Sequence, residues 1–233
     1  MPDYAYMSGA LFWLAVWALL FAILKKQRTT MVVVGALLSV AGPVSEYWSL
    51  RDYWHPGYLC PFIVGGIHFG GLEDLILTFA LAGGCAGVFE AVATRLGWEP
   101  LPPLHWRTVV RVWLLGLCGI AGFFLLTAVT TWNSIHVLLA TVTVVAVVMQ
   151  TVQPSCARLT LALSLAAGVA YQLFYVLIFV PLYPGVFEAW WNLSATWPIR
   201  WAGVPLEETA WAAVTMAFAG PLLRVCSRNR SSE

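Results

Sequence analysis

The sequence predicts an all-α integral membrane protein: seven transmembrane helices, arranged as two parallel three-helix repeats joined by a linking helix. Three observations lead there. Hydrophobic residues fill 61% of the 233 positions and charged residues only 10%, against about 25% charged in soluble domains. A soluble domain of this length cannot hide so much apolar surface, whereas a bilayer replaces water around the outer helix faces. Apolar stretches of about the 20 residues that a crossing needs recur along the chain. Finally, an acidic pair at the head of one such stretch returns 134 residues later at the head of another.

The spans are expected at 6–24, 31–50, 70–94, 108–130, 135–152, 159–181 and 205–224. The first reads as a span rather than a cleaved leader, because Asp3 stands where a basic region would be and no small-residue cleavage site follows. Short polar connections, 25–30 and 153–158, join the first span to the second and the fifth to the sixth. The connections 51–69 and 182–204 are longer and rich in aromatic residues and proline, among them Tyr53, Trp54, Tyr58, Trp190, Trp191 and Trp197. A solvated linker would be hydrophilic, so both are expected to fold back onto the helix ends.

Basic residues set the orientation. With the N-terminus outside, the inner side holds Lys25, Lys26, Arg28, Arg95, Arg107, Arg111, Arg158, Arg224, Arg228 and Arg230, and the outer side only Arg51 and Arg200. Positive residues favour the cytoplasmic side, which places the N-terminus outside and the C-terminus in the cytoplasm.

The repeat follows from Gly70-Gly71-Leu72-Glu73-Asp74 opening the third helix and Val204-Pro205-Leu206-Glu207-Glu208 opening the seventh. The same offset carries helices one and two onto five and six. Residues 1–95 form the first repeat, 96–133 the linking helix with its loops, and 134–233 the second repeat. One extra helix between them makes the halves parallel about an axis along the membrane normal, so both acidic pairs enter from the outer face.

Composition also excludes several classes. A net charge of +1, with no basic run longer than Lys25-Lys26, argues against nucleic acid. Five scattered cysteines without a CxxC pair suggest neither a disulfide framework nor zinc. His55, His68, His105 and His136 lack metal spacing, so no metal site is expected. Gly65-Gly66 and Gly83-Gly84 do not form a dinucleotide motif and are read as helix packing. Asn192-Leu193-Ser194 is a glycosylation sequon.

The chemistry is expected among the acids. Ionisable groups within a membrane are costly and tend to mark function. Glu46, Glu73, Asp74, Glu207 and Glu208 lie within a turn or two of the outer ends of three helices, and are read as one shared polar site. Singly, each could be an interfacial residue or a helix N-terminal charge. Arg51 and Arg200 are too few to neutralise them, so some carboxyls are expected to be hydrated or protonated. That is the description of a possible general acid. Aromatics crowd the same end. Most fit an interfacial belt, but a desolvated ring can also stabilise a carbocation by about 0.5–2 kcal/mol. Trp211 is the best candidate, three and four residues after the Glu pair and on the same helix face.

These residues resemble the lycopene cyclase domain, the flavin-free membrane family whose repeat has three helices and a Trp-rich outer segment before a proline-leucine-Glu-Glu helix start. Val204-Pro205-Leu206-Glu207-Glu208 is similar to that motif. Gly70-Gly71-Leu72-Glu73-Asp74, preceded by Tyr53-Trp54-His55-Pro56, departs from it in Gly71 for proline and Asp74 for the second Glu. The phenylalanines that usually follow the pair are absent from both halves. The likeness spans nearly the whole chain and implies the fused two-repeat form.

The resemblance implies formation of β-ionone-type rings at the ends of a lipophilic polyene, a carotenoid. A proton reaches a terminal double bond, a tertiary cation forms, the neighbouring alkene attacks it, and a proton leaves. The product is an isomer, so no cofactor is needed. Glu207, Glu208, Glu73 and Asp74 would supply acid and base, and Trp211, Trp201, Trp54 and Glu46 would line the substrate pocket. Adjacent glutamates on a helix point about 100° apart. One could thus face the pocket protonated while the other stays ionised, held by Arg200 or the helix N-terminus. The expected partners are the polyene and membrane lipid, together with other carotenoid-pathway enzymes or a second copy of the chain.

Two alternatives come from other classes. A heptahelical carotenoid- or retinoid-binding protein shares the seven-helix plan, but Lys25 and Lys26, the only lysines, lie in an inner loop and offer no buried Schiff base. A proton-coupled transporter would carry ionisable groups through the full depth, and helices four to six show none at mid-membrane.

Overall fold

The computed structural model describes residues 2–227. Arg228 and Arg230, counted above on the inner side, lie outside the described residues. Among these, seven helical segments are long and apolar enough to cross a membrane: Ala5–Ile23, Lys25–Asp52, Leu72–Arg95, Trp106–Val129, Ser134–Val152, Pro154–Leu182 and Leu206–Ser227. The chain has the architecture of an all-helical multi-pass membrane protein.

The first span is a single helix, α1 (Ala5–Ile23). The second, expected as one helix, is broken into α2 (Arg28–Ser39) and α3 (Ala41–Asp52). Pro43 explains the break, since it lacks an N–H and its ring would collide with the carbonyl of Ser39 four residues back. A hairpin of β1 (Pro61–Val64) and β2 (Ile67–Gly71) follows, antiparallel. Gly65 and Gly66 form its two-residue turn with φ of +59° and +80°, the left-handed values that a tight hairpin requires. This corrects the reading of Gly65-Gly66 as helix packing.

β2 runs straight into α4 (Leu72–Arg95), the central helix, which touches α1, α2 and the later helices over Ala157–Phe174 and Leu206–Ala219. Its approach to α2 depends on small residues: a Cβ on Gly35 would stand 2.8 Å from the Phe79 carbonyl oxygen, and Gly83 packs directly on the Met31 backbone. Close packing of backbones over glycine is the usual way for membrane helices to gain contact. α5 (Trp106–Val129) lies at the periphery against α6 (Ser134–Val152), with only Thr108 and Val112 buried along its length. Asp52, at the end of α3, accepts from the Ser134 N–H (3.0 Å) and hydroxyl (2.6 Å) and so caps α6.

The sixth span is α7 (Ala157–Phe174), a π-helical turn over Tyr175–Phe179, and α8 (Val180–Leu182). Pro181 accounts for the wide turn, because its ring excludes the ordinary bond to the Leu177 carbonyl. After the short α9 (Val186–Trp190), a second hairpin of β3 (Arg200–Trp201) and β4 (Val204–Pro205) leads into α10 (Leu206–Ala219). Gly220-Pro221 then separates α10 from α11 (Leu222–Ser227).

The two long connections fold back and join each other. The His55 N–H donates to the Trp190 carbonyl (2.7 Å), the Asn192 N–H donates to the Tyr53 carbonyl (2.7 Å), and the Trp54 and Trp191 rings meet at 5.1 Å. An aromatic core forms beneath them, around Tyr6, Phe174, Tyr175 and Trp190. The opposite end holds an aliphatic core around Val34, Ala82, Met149 and Leu222. There Arg224 is bonded through two nitrogens to Glu90, at 3.0 and 2.5 Å.

Candidate functional site

Three carboxyls reach the same place from three different spans. Glu46 projects from α3, Asp74 from the first turn of α4 and Glu208 from the first turn of α10, and all line one cavity of about 770 Å³, counting its open mouth. Trp54 and Trp211 line it too. Among the described residues, none of its lining groups is a lysine, an arginine or a histidine.

Each carboxyl has its own donors. Glu208 takes three: the Tyr53 hydroxyl (2.5 Å) and the Trp191 indole N–H (2.9 Å) on Oε1, and the Tyr175 hydroxyl (2.9 Å) on Oε2. Tyr175 opens the π-helical turn, so the distortion caused by Pro181 begins at the residue that holds Glu208. Asp74 accepts from the Tyr6 hydroxyl and from the Gly71 N–H (2.7 Å). Glu46 accepts from the Trp54 indole at 2.7 Å. Beside the cavity, burial and then Glu208 hold Tyr53 well above the ordinary phenol range. Tyr58 is raised by burial and then by Glu46 and Asp74. Both tyrosines therefore stay neutral phenols.

The remaining acids sit one residue away and face elsewhere. Glu73 and Glu207 precede Asp74 and Glu208, which turns them about 100° around the helix and out of the cavity lining. Glu73 Oε1 accepts from the N–H groups of Leu59 (2.7 Å) and Cys60 (3.2 Å), tying down the segment before β1. Glu207 Oε1 accepts from the Trp197 N–H (2.5 Å) and pairs with His136 Nε2 (3.1 Å). His136 in turn stacks on the Trp197 ring at 5.0 Å. Trp201 stands on β3, half exposed, and its carbonyl rather than its ring is engaged, accepting from Gln172 at 2.8 Å. Arg200 reaches the Leu193 carbonyl (3.2 Å) and Arg51 lies over the Tyr47 ring (3.8 Å), so neither bonds the glutamates expected to need it.

Tyr6, Tyr53, Tyr175 and Trp191 bond the cavity carboxyls, a role that sequence reasoning did not assign to them. A weak signal existed, in polar-tipped aromatics at the helix ends nearest the acids. Their pairings bridge sequence separations of 68, 155, 33 and 17 residues, and nothing local reveals such partners.

Gly70 holds the carboxyls close. Its φ is +65°, and a Cβ there would lie 2.9 Å from Glu46 Cβ and Cγ and against the Asp74 carboxyl. Gly203 offers a control, with φ +83° and open space around it. Gly203→Ala should show the left-handed backbone cost alone, about 1–2 kcal/mol. Gly70→Ala should lower the unfolding midpoint in detergent further, by the added collision. Equal midpoints would show that Glu46 and Asp74 yield freely.

No family model, no curated protein and no solved structure matches this chain.

Proposed function

We propose that the protein is a carotenoid-modifying membrane enzyme similar to lycopene cyclases, closing β-ionone-type rings by acid-initiated cyclisation of a polyene end. The observation that carries this reading is the convergence of Glu46, Asp74 and Glu208 on one aromatic cavity without a cation on its described walls. Three carboxylates cannot all be ionised in such surroundings, because an unpaired buried charge costs several kcal/mol. At least one proton is therefore kept in the cavity. Glu208, with three donors, is best satisfied as the anion. Glu46 and Asp74, packed side by side against Gly70, share the proton that is delivered. The walls that would meet the resulting cation are ring faces, including Trp191, Trp211 and Phe174, each worth about 0.5–2 kcal/mol when desolvated. Glu208 takes the departing proton, which leaves an isomer and no need for a cofactor.

The finer architecture belongs to the same proposal. Each helix that begins with an acidic pair, α4 and α10, is opened by a β-hairpin whose second strand runs directly into it. The peripheral α5 suits a linking helix between two parallel repeats, 1–95 and 134–233. The cavity then lies toward the outer face, with the N-terminus outside. Reporter fusions at residue 27 and after residue 230 should both read cytoplasmic. A periplasmic signal from either would reverse the placement of the cavity.

Expression in a lycopene-accumulating bacterium, followed by pigment chromatography, tests the activity directly. Cyclic carotenoids are expected. Unchanged lycopene, with the protein present in the membrane, would leave a polyene-binding role at most.

A further inference from the structure

A second cavity, about 590 Å³ counting its open mouth, lies deeper in the bundle, between α1, α4, α7 and α10. Its lining is almost wholly carbon, with Ala80, Ala167, Ala170, Gly84 and Ala212 leaving the room. It meets the acid cavity at a common wall, Trp13 and Tyr171, whose rings stack at 5.3 Å and 26°. One stripe of each helix serves both spaces. On α1, Tyr6, Gly9 and Trp13 border the first cavity, and Trp13, Trp17 and Leu20 the second, which is the helical spacing of a single face. On α4 the same face runs from Asp74 and Leu77 to Leu81, Gly84 and Val88. From Tyr6 to Leu20 the helix rises roughly 21 Å at about 1.5 Å per residue. The result is two adjoining spaces along one line, acidic at one end and apolar at the other, with the Trp13 and Tyr171 rings between them.

We infer that this second cavity is a binding site for the unreacted length of the polyene whose end lies in the acid cavity, with Trp13 and Tyr171 at the passage between the two. The inference rests on the function proposed above and names where the rest of its substrate goes. The indole N–H of Trp13, between the two cavities, is buried without an acceptor. An N–H donor can face a π system, so the site suits a conjugated chain better than a saturated acyl chain.

The test is polyene retained per protein after purification from lycopene-accumulating membranes. A Cβ at Gly84 would stand 3.7 Å from Leu20 Cδ1, so a methyl fits there and a leucine projects into the cavity. Gly84→Leu and Ala170→Leu should each lower retained polyene about tenfold, the loss that 1.4 kcal/mol of binding produces. Gly116→Leu, on α5 with nothing within 4 Å of its Cβ, should retain it fully and shows that an added leucine does not itself unfold the protein. Retention at the wild-type level in both filling variants would overturn the inference, even if lycopene is still cyclised. So would recovery of phospholipid rather than polyene as the molecule displaced. Polyene that binds and is displaced without any cyclisation would support the cavity and remove the enzyme.

Discussion

Replacing Glu208 with glutamine is expected to reduce ring formation by about 10²–10⁴-fold, the usual worth of a positioned proton-transfer group, while the protein still inserts and accumulates. The substitution keeps size and hydrogen-bonding capacity but removes the carboxyl that Tyr53, Tyr175 and Trp191 bond. Glu46→Gln should be comparably severe if the proton is delivered from the Glu46–Asp74 pair. Glu207→Gln supplies the contrast. Glu207 is engaged by the Trp197 N–H and His136, so its loss should affect stability and leave the chemistry of the folded fraction nearly intact. Trp211→Phe should be milder than Trp211→Leu if a ring face is what counts. The measurement is cyclised carotenoid at equal membrane levels of each variant. Full activity in Glu208→Gln would take this carboxyl out of the reaction and return it to a structural role.

The second large effect is expected far from the cavity. Arg224→Met should destabilise the fold by about 3–5 kcal/mol, because it leaves Glu90 buried without its partner. Glu90 is 2% exposed, and the pair joins α4 to α11 near Trp98, over which the guanidinium also sits at 5.3 Å. The double variant Glu90→Leu, Arg224→Met should recover most of that loss, since two apolar groups cost no buried charge. Thermal unfolding in detergent reads both. If the double variant were no better than the single one, the loss would come from Arg224 packing and its bond to the Glu99 carbonyl.

What the sequence determined by itself is the part governed by local composition. Apolar length placed seven spans, because a bilayer crossing needs an unbroken run of carbon and little else. The Gly-Leu-Glu-Asp and Pro-Leu-Glu-Glu starts placed acids at helix heads, and the aromatic character of 51–69 and 182–204 foretold the packed parts around Trp54 and Trp191, though not the exposed hairpins. Tertiary structure decided which acids meet. Adjacent positions on a helix differ by about 100°, so Asp74 and Glu208 face the cavity while Glu73 and Glu207 anchor loops, and no local rule chooses between them. It also decided the partners. Arg200 stood nearest the glutamates in sequence, yet His136 from α6 reaches Glu207, and Arg224 finds Glu90 from the opposite end of the chain. Such pairings depend on how helices cross, because a charge buried in an apolar medium takes whichever partner the packing brings within reach.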